Sequence, residues 1–298
     1  MRQLDLQSLL AAVDVPVDWV GIREVTETHS PRVVRDGVPE VNGCFTTQGL
    51  MVEVLADGQF GYYGTPNMTD IGISDAAKKA YGQAKLAANH ATYKFTDAAR
   101  PANVGSYESP FVKEMDTISP GELNKILLDA YTQLKVSDKI VSARAVLQTI
   151  QMLTRFVSSN GSDITQDFLM LEFDLSATAA DGANQQTRTF GGMRGTCRQM
   201  GMEFFDKWEL LAIAQKIGEQ AIELLDADQC PTGEMDLVIA SDQMMLQIHE
   251  SVGHALEIDR ILGDERNYAG WSFVNMDDFG KLQYGSKLMN ITFDPTLS

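Results

Sequence analysis

Four of the chain's Asx-Gly dipeptides set the strongest limit on the fold: Asp36-Gly37, Asp57-Gly58, Asn160-Gly161 and Asp181-Gly182. Each follows a run rich in β-branched or aromatic residues and is followed by another extended run. Glycine at the second position supplies the positive φ of a tight turn, so the pattern predicts antiparallel hairpins. In GLMVEVLADGQFGYYG (49–64), Leu50, Val52 and Val54 fall on one face and Phe60 and Tyr62 share one face, as expected of a half-buried antiparallel sheet. The runs KIVSARAVLQTIQML and DFLMLEFDLSATAA flank the turn at Asn160-Gly161, and VDWVGIREVTETH (17–29) reads as a further strand.

Helix signals fall between these blocks. A short apolar helix is expected around residues 4–13. A longer one is expected over SDAAKKAYGQAKLAANHA (74–91), with Ser74 or Asp75 as its cap and His90 near its end. Ser119-Pro120-Gly121-Glu122 matches a capping box with proline in the first turn, opening a helix to about Leu134. From Lys207, Trp208, Leu211, Ile217, Ala221 and Leu224 recur near the helical period. Residues 97–118, with Pro101, Gly105 and Pro110, read as a linker. A chain of 298 residues usually divides in two, so the expected domains are 1–110 and 111–298. The fold class is α+β: antiparallel sheets with flanking helices, then a helix carrying two histidines, with the segments MDLVIA (235–240) and SKLMNITF (286–293) as late strands.

Charge and cysteine usage narrow the function. A formal net charge of −17 would repel a phosphate backbone, which argues against nucleic acid as a partner. No run approaches the eighteen or so apolar residues of a membrane span. Asp5, Gln7 and Asp14 interrupt the N-terminal apolar run, so no signal peptide is expected and the location predicted is cytoplasmic. Cys44, Cys197 and Cys230 are far apart, which suits reducing surroundings and small buried thiols.

The segment IHESVGHALEID (248–259) carries the chemistry. Ser241 and Asp242 can cap a helix whose apolar positions include Met245, Ile248, Val252, Ala255 and Leu256. On a regular helix, residues five apart point about 140° away from each other, so His249 and His254 could not reach one metal. One extra residue absorbed in a π-bulge, or a helix ending at Gly253, would bring His254 round beside His249 and turn Glu257 toward the same face. Two neutral imidazoles suit Zn²⁺ and leave room for another ligand and a water, while Glu250 is placed to act as general base. Two histidines satisfied by hydrogen bonds beside a core helix are the competing reading.

The longer run HESVGHALEIDRILGDERNYAGWSFV resembles the TldD/PmbA family on its metal-bearing TldD side, whose hallmark H-E-x-x-x-H is filled here by His249, Glu250 and His254. VRDGVPE, GLMVEVLADGQFGYYG, RGTCRQMG and PTGEMDLVIAS are similar to that family as well. The resemblance implies a cytoplasmic zinc metallopeptidase acting on unfolded or flexible polypeptides, with His249 and His254 as zinc ligands and Glu250 as general base. It also implies a PmbA-like partner subunit, or a homodimer, and a β-rich C-terminal domain. The family takes a third ligand from a cysteine in that domain, and no cysteine follows Cys230, so the domain is expected to be truncated here. Glu257 is a possible substitute ligand or an orienting carboxylate. The alternative function is a catalytically incomplete subunit or partial family member acting as an interaction module.

Overall fold

The structure is a computed structural model that describes residues 4–91, 93–191 and 196–294. After α1 (Leu6–Ala11), the chain forms β1 (Trp19–Arg35), β2 (Val38–Asn42), β3 (Phe45–Ala56), β4 (Gln59–Thr65) and α2 (Asp70–Ala88). Next come β5 (Val104–Glu108), α3 (Pro120–Leu134), β6 (Ile140–Ser158), β7 (Asp163–Asp181) and β8 (Asn184–Thr189). The remaining helices are α4 (Phe204–Lys207), α5 (Leu210–Glu223), α6 (Ser241–Ile248) and α7 (Ile258–Leu262). None of the described helices is long and apolar enough to cross a membrane.

The strands form one sheet in the order β4-β3-β1-β6-β7-β5, with β2 paired to β1 and β8 to β7. All pairings are antiparallel except β5 with β7. These four Asx-Gly turns each connect successive strands, and at Asp57-Gly58 both residues take positive φ (55° and 79°), as a tight hairpin turn demands. The β1–β6 pairing runs from Gly21–Ser158 to Arg35–Arg144, so a single sheet continues across the chain position near residue 110.

Helices cover one face of this sheet in two groups. Ala76, Ala77, Ala80 and Ala84 of α2 pack on Leu50, Val52 and Val54 of β3, while α3 and α5 pack on Leu147, Leu171, Phe173 and Leu175. Both groups use odd-numbered residues of β6, Val157 in the first and Ala145 and Leu147 in the second, and strand alternation puts these on one face. Between them Arg155 Nη1 donates to Glu24 Oε2 at 2.9 Å, a largely buried ion pair. The Glu24 Oε1 atom accepts from Gln48 at 2.9 Å, which keeps the buried carboxylate satisfied.

Several sequence expectations need correction. Thr69, not Ser74 or Asp75, caps α2, its Oγ accepting from the Gly72 N–H at 3.3 Å. The expected linker contains β5, which adds to the edge of β7 from Val104–Asp163 to Glu108–Asp167. Residues 235–240 and 286–293 form no strand, since neither run finds a paired neighbour. All three cysteines are exposed rather than buried. The capping box does form: Glu122 N–H donates to Ser119 Oγ and Ser119 N–H to Glu122 Oε2.

Candidate metal centre

The histidine segment begins on α6, whose first residue is Ser241. Ala240 holds the cap position in extended backbone and supplies no side-chain bond, so neither Ser241 nor Asp242 is the cap. After Ile248 the helix widens: His249–Gly253 is a π-helical turn in which the His254 N–H donates to the His249 carbonyl. A 3-10 turn, His254–Leu256, follows, and Glu257 turns extended (ψ 121°) to end the run. The helix therefore absorbs one residue between the histidines instead of stopping at Gly253. Gly253 keeps helical angles (φ −54°, ψ −62°), so the widening needs no left-handed residue.

The wider turn brings the two imidazoles together, with ring centroids 4.4 Å apart and planes at 72°. Glu250 lies between them, one carboxylate oxygen 3.8 Å from His249 Nε2 and the other 3.8 Å from His254 Nε2. One ligand atom from each of the three residues lies within 4.8 Å of the others, and among the described residues no other group of three such side chains has this geometry. Ligands at about 2.1 Å around a tetrahedral zinc lie about 3.4 Å apart, so modest side-chain rotation suffices to close on an ion. The two imidazoles fit a divalent metal of the zinc class, with the Glu250 carboxylate beside them.

Glu257 does not face the proposed ion. Its Oε1 lies 2.6 Å from His254 Nδ1 and its Oε2 2.6 Å from Arg260 Nε. A carboxylate only accepts, so this contact puts the proton on Nδ1 and leaves Nε2 free to coordinate. The hydrogen bond from His254, aided by Arg260, holds the Glu257 carboxyl below the ordinary carboxylate range. The side chains of His249 and Glu250 are each 59% exposed and that of His254 30%, so the cluster opens to solvent.

Two residues of this neighbourhood carry no sequence signal. Tyr284 Oη donates to the Ser251 carbonyl, and Ser272 Oγ donates to the Ala255 carbonyl at 2.6 Å. Ala255 lies in the last helical turn, where carbonyls lack intrahelical partners, so Ser272 satisfies an orphan acceptor. Neither residue belongs to a periodic run, and nothing local in the sequence marks either as a tether.

Two family models match the chain: PmbA/TldA metallopeptidase domain 1 over residues 20–84, and PmbA/TldA metallopeptidase central domain over residues 113–225. Together they take in more than half of the chain, though neither includes the histidine turn. A metalloprotease of Methanothermobacter thermautotrophicus is 26% identical over 265 residues, covering 86% of this chain and 54% of that protein. Metalloprotease MJ0996 of Methanocaldococcus jannaschii is 23% identical over 296 residues, covering 99% of this chain and 62% of that protein. The chain thus spans between about half and three-fifths of the length of these curated relatives. Its fold is similar to the crystal structure of a proposed modulator of DNA gyrase from Bacteroides thetaiotaomicron, with a TM-score of 0.62 at 14% identity, covering 86% of this chain and 58% of that one.

Proposed function

From the membership of this chain in the TldD/PmbA metallopeptidase family, we infer that its histidine turn is the metal-binding part of a zinc peptidase acting on unfolded or flexible polypeptides. The observation that carries this reading is the π-helical turn, which sets His249 and His254 side by side with Glu250 between them. His249 and His254 would hold the ion, and a bound zinc would supply Lewis acidity toward a water and a peptide carbonyl. Glu250 takes a proton from the attacking water on a carboxylate oxygen as the new O–C bond forms. It then delivers that proton to the amide nitrogen as the C–N bond breaks. The exposure of all three side chains suits an extended polypeptide, which can reach an open surface that a folded domain would meet poorly.

Glu250→Gln keeps the size of the side chain and removes the base. The expected result is retained zinc stoichiometry with turnover of an unstructured peptide reduced about 10²–10⁴-fold. Turnover equal to wild type would reject the role given to Glu250.

A second reading has its own support. With Glu250 acting as base and Glu257 behind His254, the described residues supply two zinc ligands, whereas zinc sites ordinarily use three or more protein ligands. This favours a catalytically incomplete subunit or partial family member that acts as an interaction module, with a PmbA-like partner or a second copy as the protein it meets. Weak, substoichiometric zinc binding by the isolated chain that becomes stoichiometric on adding such a partner supports that reading.

A further inference from the structure

We propose that Tyr284 is a positioning residue of the metal centre: its hydroxyl holds the π-helical register that brings His249 and His254 together. The proposal rests on the metal-binding reading above and goes beyond it by naming what keeps the turn wide. In an ordinary α-helix residues five apart point about 140° away from each other, so zinc binding by both histidines requires the extra residue to stay in the turn. A π turn is rarely adopted, and nothing in the run itself imposes one. Residues 249–256 include no proline, and Gly253 keeps helical angles. None of these residues is buried, so core packing does not fix the register either.

Hydrogen bonds from a later segment supply the constraint. Tyr284 Oη donates to the Ser251 carbonyl, 33 residues back and at the centre of the π turn. A regular helix would give that carbonyl to the Ala255 N–H, four residues on. A side-chain donor at the same oxygen competes with that bond and favours the wider turn, as inserted groups do where helices bend. The Ala255 carbonyl accepts instead from Ser272 Oγ at 2.6 Å, at the end of the run. The two donors belong to one brace: the Phe273 ring lies 5.5 Å from that of Tyr284, and Ser272 Oγ accepts from the Val274 N–H at 3.0 Å. Val274 is 4% exposed and is the one buried apolar side chain beyond Leu225 among the described residues, so the brace is anchored where this region packs best. Gln247 reaches the Ser251 hydroxyl rather than its carbonyl, and Glu257 orients the His254 ring from beyond the turn, so neither sets the backbone register.

Tyr284→Phe keeps the ring beside Phe273 and removes only the donor. Zinc affinity of the full chain, measured by competition with a chelator, should fall about 3–10-fold, the net worth of one hydrogen bond. A second background deletes Val252, which sets the histidines four apart so that a regular α-turn brings them together. There Tyr284→Phe should leave zinc affinity unchanged, because no widened turn needs holding. A fall of the same size in both backgrounds, or in neither, overturns the proposal and leaves the metal-binding reading intact. Amide hydrogen exchange on metal-free protein is the second measurement: residues 252–256 should exchange about 3–10-fold faster in Tyr284→Phe, with β1, β6 and β7 unchanged. Where the wild type binds no zinc, or the deletion disturbs the circular dichroism, exchange decides: faster rates in Tyr284→Phe support the brace, and equal rates overturn it. Of these results, only the absence of zinc binding by the wild type counts against the metal-binding reading.

Discussion

Of the two histidines, His254 has its ring orientation fixed from behind, because its Nδ1–H donates to Glu257 at 2.6 Å and Glu257 is itself held by Arg260 at 2.6 Å. Such an outer carboxylate orients the imidazole and fixes the tautomer that can coordinate. Glu257→Gln keeps an acceptor near Nδ1 but removes its charge. Zinc affinity, measured by competition with a chelator, is expected to fall about 10–100-fold. An unchanged affinity would reduce Glu257 to a surface ion pair with Arg260. The same geometry explains why Glu257 was ambiguous in the sequence: its spacing from His254 allows either a ligand or an orienting group, and only the backbone break after Leu256 decides which face it takes.

At the scale of elements, α2 lies so close to β4 that a Cβ on Gly61 would stand 2.0 Å from the Ala80 carbonyl oxygen. The alanines at 76, 77, 80 and 84 make the approach possible, and the obstruction at Gly61 is backbone, which cannot rotate away. Gly61→Ala should therefore destabilise the protein by about 1–3 kcal/mol or more, read from the denaturant midpoint. Gly82 is the internal control: it lies exposed on the same helix with open space around its Cβ position, so Gly82→Ala should stabilise by about 0.5–1 kcal/mol. Equal effects from the two substitutions would mean that close approach does not limit this helix. Elements with a local chemical signature were legible in the sequence: the Asx-Gly turns, the Ser119–Glu122 capping box, and a histidine spacing that one metal could meet only through an extra residue in the turn or a helix end at Gly253. The start of α2 was hidden because Ile71 is 80% exposed and Gly72 is a weak helix former, which breaks the amphipathic pattern after Thr69. β5 was hidden because most of its side chains are exposed and its pairing depends on the distant edge of β7. The runs at 235–240 and 286–293 have strand-like composition, but a strand needs a neighbour to accept its backbone bonds, and composition cannot supply one.

For the whole molecule, apolar burial is unevenly distributed. The buried hydrophobic residues run from Leu6 to Leu225, and beyond that point only Val274 joins them among the described residues. The later stretch instead exposes Leu237 (78%), Val238 (94%), Leu288 (91%) and Phe293 (92%). Local opening costs least where few apolar contacts must break, so stability should fall sharply after α5. Between α5 and α6, residues 229–240 have no regular hydrogen-bonded structure and are exposed at almost every position. A broad-specificity protease at low concentration should cut there first and leave a resistant fragment ending near Leu225. Mass spectrometry of the fragments identifies the cut, and hydrogen exchange should be slowest in the paired centres of β1, β6 and β7. The sheet spans both helix-covered cores, so the resistant fragment should retain its β-sheet circular dichroism after the histidine turn is released, while zinc binding leaves with the smaller piece. Initial cleavage inside the β6–β7 hairpin, or loss of sheet signal on cutting at 229–240, would show that the histidine region is bound into the same cooperative unit as the sheet.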